Sequence, residues 1–243
     1  MSTTSTTSPS STAATASARS SVSTAPAPAR TDVDAPLARQ TAGAGESAPG
    51  APGIRSATVR RHALPLVLGA LTWAMSSFAL GFNPSSAAGI VVQDLSGLAF
   101  QVGVMSLVLL QLRTAATGTG RGARILLRVE QVLLSLAMVW TVVHALVPSA
   151  RDEVWLAVLD VFWPLSMLGM FVIAIKIAVA GRWQGLARYW PLVAESWAVV
   201  SVPSMAIGGA EVGRYVGSVH LLVGYVTLGL VLLVRPHLVG ARD

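Results

Sequence analysis

Five ionisable side chains, Glu130, His144, Asp160, Glu195 and His220, fall inside long apolar stretches, and Lys176 lies near the end of one. An ionised group at the centre of a membrane helix costs about 3 kcal/mol on insertion scales, so each is a candidate for binding, proton handling or an internal pair. Helix rise sorts the six into two levels. His144, Asp160 and His220 fall toward one face of a bilayer, and Glu130, Lys176 and Glu195 toward the other. Each level offers partners of opposite charge. A His144–Asp160 or His220–Asp160 hydrogen bond is expected at the outer level, and a Glu195–Lys176 pair at the inner one.

Helical phase refines this. Glu130, Leu134, Ala137, Thr141 and His144 recur at three- and four-residue steps, so they form one stripe that should face the bundle interior. Asp160 and Lys176 are sixteen residues apart and lie on nearly opposite faces of an ideal helix. Pro164 removes the N–H that would bond the carbonyl of Asp160, and Pro203 does the same to Val199. Helix breaks of this kind mark binding sites in transporters, although proline is also simply commoner in membrane helices. Small residues form two further stripes, Gly69, Thr72, Ser76 and Ala79 on the first span and Trp197, Ser201, Ser204 and Gly208 on the fifth. Both allow close helix approach.

Other chemistry has less support. His144 with His220, and His62 with His237, share depths in the way a bis-histidine haem site requires. No glycine-lined room beside these ligands is legible, so haem ranks last among the readings. No metal site is expected. There is no H-E-x-x-H, G-x-S-x-G, paired acidic run or Walker loop, which leans the reading away from an enzyme. The chain has no cysteine, which removes disulfides, thiolate metal sites and cysteine nucleophiles. Its +6 charge is almost all arginine, without a basic block interleaved with aromatics, so nucleic acid is not an expected partner.

The elements that must position these groups are long and apolar. Of 243 residues, 53% are hydrophobic and only 12% charged, about half the charge of a soluble domain, with a mean hydropathy of +0.64. The bilayer is therefore the expected surroundings. About 20 apolar residues cross it. Six spans are expected, over 62–82, 97–116, 125–147, 154–180, 189–208 and 215–234, as an all-α bundle within a membrane domain of residues 60–236. Asn83-Pro84 makes a turn, Asp94 or Ser96 caps the second span, and residues 85–93 lie flat at the interface. Arginines alternate loop by loop. They cluster before span one, around the second and fourth loops and after span six, where residues 237–243 close the chain. This pattern places both termini in the cytoplasm of a bacterial cell. Trp155, Trp183, Tyr189, Trp190 and Tyr215 fit an aromatic belt.

Residues 1–55 are rich in Ser, Thr, Ala, Pro and Gly and carry almost no large apolar side chain, so this tail is expected to be disordered. The stretch from Pro164 to Val193 holds a Gly-Arg-Trp-x-Gly loop at Gly181, Arg182, Trp183 and Gly185. It resembles a loop joining two spans in uncharacterised small multi-pass membrane proteins of GC-rich bacteria. The resemblance implies a polytopic fold and no activity. Three functional readings follow, in order. The first is a non-enzymatic accessory or interaction protein whose embedded charges hold the bundle. The second is a small-solute or proton-coupled transporter using Asp160, Glu195, His144 and His220. The third is a membrane-embedded enzyme or haem carrier. The protein partner or solute stays open, as does a homo-oligomer. Embedded charges that pair off with no cavity would favour the first reading, and Asp160 with Glu195 opening onto one water-filled cleft would favour the second.

Overall fold

The computed structural model describes residues 53–243, so the expected disordered tail lies almost wholly outside the described residues. Those residues are helical throughout, with no strand beyond one isolated bridge. The helices are α1 (Ser56–Leu80), α2 (Ala87–Arg113), α3 (Arg121–Leu146), α4 (Val154–Asp160), α5 (Phe162–Ala180), α6 (Gly185–Glu195), α7 (Trp197–Leu221) and α8 (Thr227–Val234), with a π-helical turn, Leu222–Val226, between the last two. Among the described residues, five stretches are long and apolar enough to cross a membrane: Ser56–Leu80, Ala87–Arg113, Arg121–Leu146, Val154–Ala180 and Gly185–Val234.

The last stretch is 50 residues, over twice one crossing. It does not run straight. Gly209 has φ 81° and ψ 177°, a conformation open to glycine and strained for any side chain. Beyond it the chain returns alongside itself. The Trp197 indole donates to the Gly217 carbonyl at 3.0 Å, Ser196 Oγ meets His220 Nε2 at 3.1 Å, and the Trp190 indole donates to the Gly224 carbonyl at 3.1 Å. In each pair the two residues lie on opposite sides of Gly209. Pro203, expected to break span five, sits inside the part of α7 before Gly209, where the backbone stays helical. The breaks fall instead at Ser196, where ψ is 3°, and at Gly209.

The two ends of the described chain meet. Ser56 N–H donates to the Arg242 carbonyl at 3.1 Å, and Arg242 N–H to the Ile54 carbonyl at 3.0 Å. Near them, the α5–α6 connection is tied down twice. Gln184 N–H donates to the Leu238 carbonyl at 2.8 Å, and the Trp183 indole donates to Thr114 Oγ1 at 3.0 Å. Trp183 is fully buried, so it is a packing residue rather than part of an aromatic belt. Trp155, Tyr189 and Tyr215 are half-exposed near helix ends, as a belt requires.

The closest packing joins α1 to α2. A methyl group built on Gly69 would overlap the Ala99 carbonyl and stand 2.8 Å from Phe100 Cα, and one on Gly103 would stand 2.7 Å from the Pro65 carbonyl oxygen and 2.8 Å from Leu66 Cα. Two glycines on facing helices thus let backbones touch. The expected small stripe on α1 is only partly right. Gly69 packs inward and Ser76 is half-buried, but Thr72 and Ala79 face out. The buried stripe of α3 is Leu127, Glu130, Leu134, Ala137, Thr141 and Ala145, in phase with expectation. The outer faces carry exposed Leu64, Leu68 and Met75 on α1 and Val129, Val132 and Val139 on α3. That much apolar surface is foreign to a soluble monomer.

Candidate functional site

Helix α2 begins ten residues earlier than expected. Ser86, not Asp94 or Ser96, is its cap, accepting from the Gly89 N–H at 3.1 Å. Residues 87–93, expected at the interface, therefore form its first turns, and Asp94 sits inside the helix with its carboxylate toward α3. There it meets His144, Nδ1 to Oδ2 at 2.7 Å. The partner of His144 is therefore Asp94 and not Asp160. The imidazole also stacks on Trp140, four residues earlier, with centroids 4.7 Å apart and planes at 14°. Arg151, on the loop after α3, spends its guanidinium on the carbonyls of His144 and Ala145.

This pair stands at the mouth of a cleft of about 300 Å³ at the end of the bundle away from the joined chain ends. A second lobe of about 350 Å³ adjoins it and reaches His144. Asp160 lines both lobes. It is the last residue of α4, and the helix pattern lapses at Val161 before α5 resumes, as a proline at 164 dictates. The backbone of Val161 stays in the right-handed helical region, so the lapse is slight. Trp73, Trp140, Trp163, Trp197 and Phe82 supply the walls, and Gln93, Gln101, Thr141 and Asn83 the polar lining. Gln93 is held by Ser76 and Ser77, at 2.9 Å each.

The inner level is separate. Glu130 on α3, 1% exposed, accepts from Ser166 Oγ on α5 at 2.5 Å, and Gly169 leaves room for its second oxygen, which a methyl there would overlap. Glu195, also 1% exposed, accepts from the Tyr225 hydroxyl at 2.5 Å and leaves Oε1 without a donor. The expected Glu195–Lys176 pair does not form, because Lys176 sits on the exposed face of α5. The π turn after α7 inserts an extra residue per turn and aims Tyr225 inward, and Gly224 lets Ala194 approach beside it. His220 likewise leaves its expected level. It lies eleven residues, or about 16 Å of helix, from the Gly209 turn, meets Ser196, and keeps Nδ1 unpartnered.

Aromatic rings separate the two levels. Trp73 stacks on Phe100 with centroids 4.8 Å apart, and Phe100 meets Tyr225 edge-on at 4.8 Å and 81°. From the cleft wall to Glu195 the path is therefore ring against ring, and neither Glu130 nor Glu195 lines the cleft.

Sequence reasoning missed Asp94, Tyr225 and the convergence of Trp73, Trp163 and Trp197. The signal for the tryptophans was their position deep within spans, away from the belt. Gln93 and Gln101, amides on an apolar helix, were a second unused signal. His62 meets Ser106 at 2.9 Å, and His237 sits in a short 3-10 turn near the C-terminus. Among the described residues no three His, Asp or Glu side chains converge as metal ligands. No family model matches the chain, and no curated protein or solved structure matches it either.

Proposed function

We propose that this is a six-span protein of a bacterial cytoplasmic membrane, with both ends in the cytoplasm, that binds a small solute in a cleft open to the opposite face. The single observation behind the solute reading is the tryptophan-walled cleft holding Asp94, His144 and Asp160. An accessory protein whose embedded charges merely pair with one another needs no such space, and its volume is at the small end of ligand pockets. Asp160 does not pair at all among the described residues. The solute's class of protein is a carrier or binding component, and the ring layer between the cleft and Glu195 is the barrier any passage has to open.

Two features favour six crossings. The 50-residue stretch doubles back at Gly209, so it supplies two spans. The hydrogen-bonded ends of the described residues need an even number, because five crossings would leave them about 30 Å of hydrocarbon apart. The face favours the cytoplasm for those ends. Arg55, Arg60, Arg61, Arg235 and Arg242 gather there, and the contacts of Trp183 and Gln184 bring the loops carrying Arg121, Arg124, Arg182 and Arg188 to the same end. The opposite end has Arg151 and Arg214 among Asp152, Glu153 and Glu211. The Gly181–Gly185 loop is the residue-level support for kinship with small membrane proteins of GC-rich bacteria.

The chain lacks cysteine, so one introduced thiol reports alone. Asp160→Cys should react in intact cells with a membrane-impermeant thiol reagent roughly tenfold faster or more than Val158→Cys. Val158 is 59% exposed on the outer surface, where lipid suppresses the thiolate. Equal rates at the two positions would contradict a water-filled cleft.

A further inference from the structure

We propose that the cleft recognises a protonated amine, with at least one N–H, carrying an apolar body, a class of ligand that rests on the cleft being a solute site. The charge of the lining sets the sign. Asp94 and Asp160 are its carboxylates, and among the described residues no lysine or arginine lines either lobe. Arg151 approaches from the loop but is engaged by two carbonyls. If His144 carries a proton, it serves Asp94 at 2.7 Å, and Asp160 still stands alone. One unpaired carboxylate calls for one cationic charge, and an anion is repelled.

The walls decide between a metal ion and an organic cation. A hard metal ion needs several oxygen ligands around one point, and Asp94 and Asp160 find no third acidic or histidine partner. Tryptophan faces hold organic cations instead. The indole is the strongest aromatic partner for an ammonium within about 6 Å of its ring. Four indoles and Phe82 surround this space.

Gln101 then asks for an N–H. Thr141 donates its hydroxyl proton to the Ala137 carbonyl at 3.0 Å, so its oxygen is left to accept. The contact at 2.9 Å therefore fixes Gln101 Nε2 as the donor. Gln101 Oε1 remains a buried acceptor with no donor, in a side chain only 3% exposed that lines the cleft. A buried carbonyl oxygen left unsatisfied is costly, and a ligand N–H removes that penalty. A quaternary ammonium satisfies the indoles and Asp160 but has no proton for Gln101. The geometry thus favours an ammonium with at least one N–H over its fully methylated analogue.

The test uses the full chain in lipid nanodiscs, with phenethylamine as probe and calorimetry and tryptophan fluorescence as readouts. Saturable binding is expected at neutral pH, about tenfold or more tighter than 2-phenylethanol or 3-phenylpropionate. Asp160→Asn should weaken the amine about tenfold and the alcohol far less, so that the preference for the amine collapses. Gln101→Leu should remove the preference for phenethylamine over its trimethylated form, a ratio that a merely structural defect would not alter. Equal binding of amine and alcohol, tighter binding of the carboxylate, or an Asp160→Asn protein that binds the amine normally would overturn the proposal. Absent amine binding alongside normal Asp160→Cys labelling overturns the ligand class and keeps the cleft; absent binding and absent labelling removes both.

Discussion

Gly69→Val should leave little folded protein. Its branched side chain would be driven into the Ala99 carbonyl and the Phe100 backbone, and backbone in a helix cannot swing aside as a long side chain does. α1 and α2 would have to separate at the contact where they are closest. The expected loss is roughly 3 kcal/mol or more, at or beyond the upper end for overpacking. Gly122→Val is the control. Nothing lies within 4 Å of its added carbon, and valine is the better helix former there. Denaturation by SDS followed by tryptophan fluorescence measures both. Near-native stability of Gly69→Val would show that the helices are not held at this distance.

The second large effect concerns Tyr225 and Glu195, and its signature is non-additivity. Tyr225→Phe removes the donor at 2.5 Å and leaves a fully buried carboxyl group with neither oxygen bonded, since Oε1 has no partner already. Glu195→Leu strands the tyrosine hydroxyl in turn. Each change should destabilise by about 1–3 kcal/mol, because a buried polar group then loses its partner. Glu195→Leu with Tyr225→Phe together should recover most of that loss, as paired apolar replacement often does. The double-mutant cycle isolates the coupling. Additive losses, with the double variant the least stable of the three, would refute the buried pair.

Stripe Glu130–Leu134–Ala137–Thr141 was readable because all four belong to one helix, whose period sets their face without reference to any neighbour. Partners across helices were not readable. His144 is closer to Asp94 than to Asp160 because α2 starts at Ala87, and that start depends on a cap at Ser86 where Asp94 or Ser96 was expected. Depth counted along ideal helices also misplaced His220, since the boundary at Gly209 and the break at Ser196 shift its level. Charge drew attention to Lys176 as the partner of Glu195, whereas a neutral tyrosine, brought round by a π turn, takes that place. Tryptophans pose the same difficulty. Their depth along a span is readable, but not that buried Trp73 and Trp197 converge with half-buried Trp163 as one wall of the cleft.

Both the orientation of the cleft and the number of crossings rest on the turn at Gly209. Its position can be read directly with two single-cysteine proteins in intact cells, Ala210→Cys beside the turn and Asp243→Cys beside the paired ends, both at exposed positions. Six crossings with cytoplasmic ends require a membrane-impermeant maleimide to label Ala210→Cys from outside, and Asp243→Cys only after the membrane is opened. Labelling of Asp243→Cys in intact cells, or protection of Ala210→Cys until lysis, would contradict the account at its root.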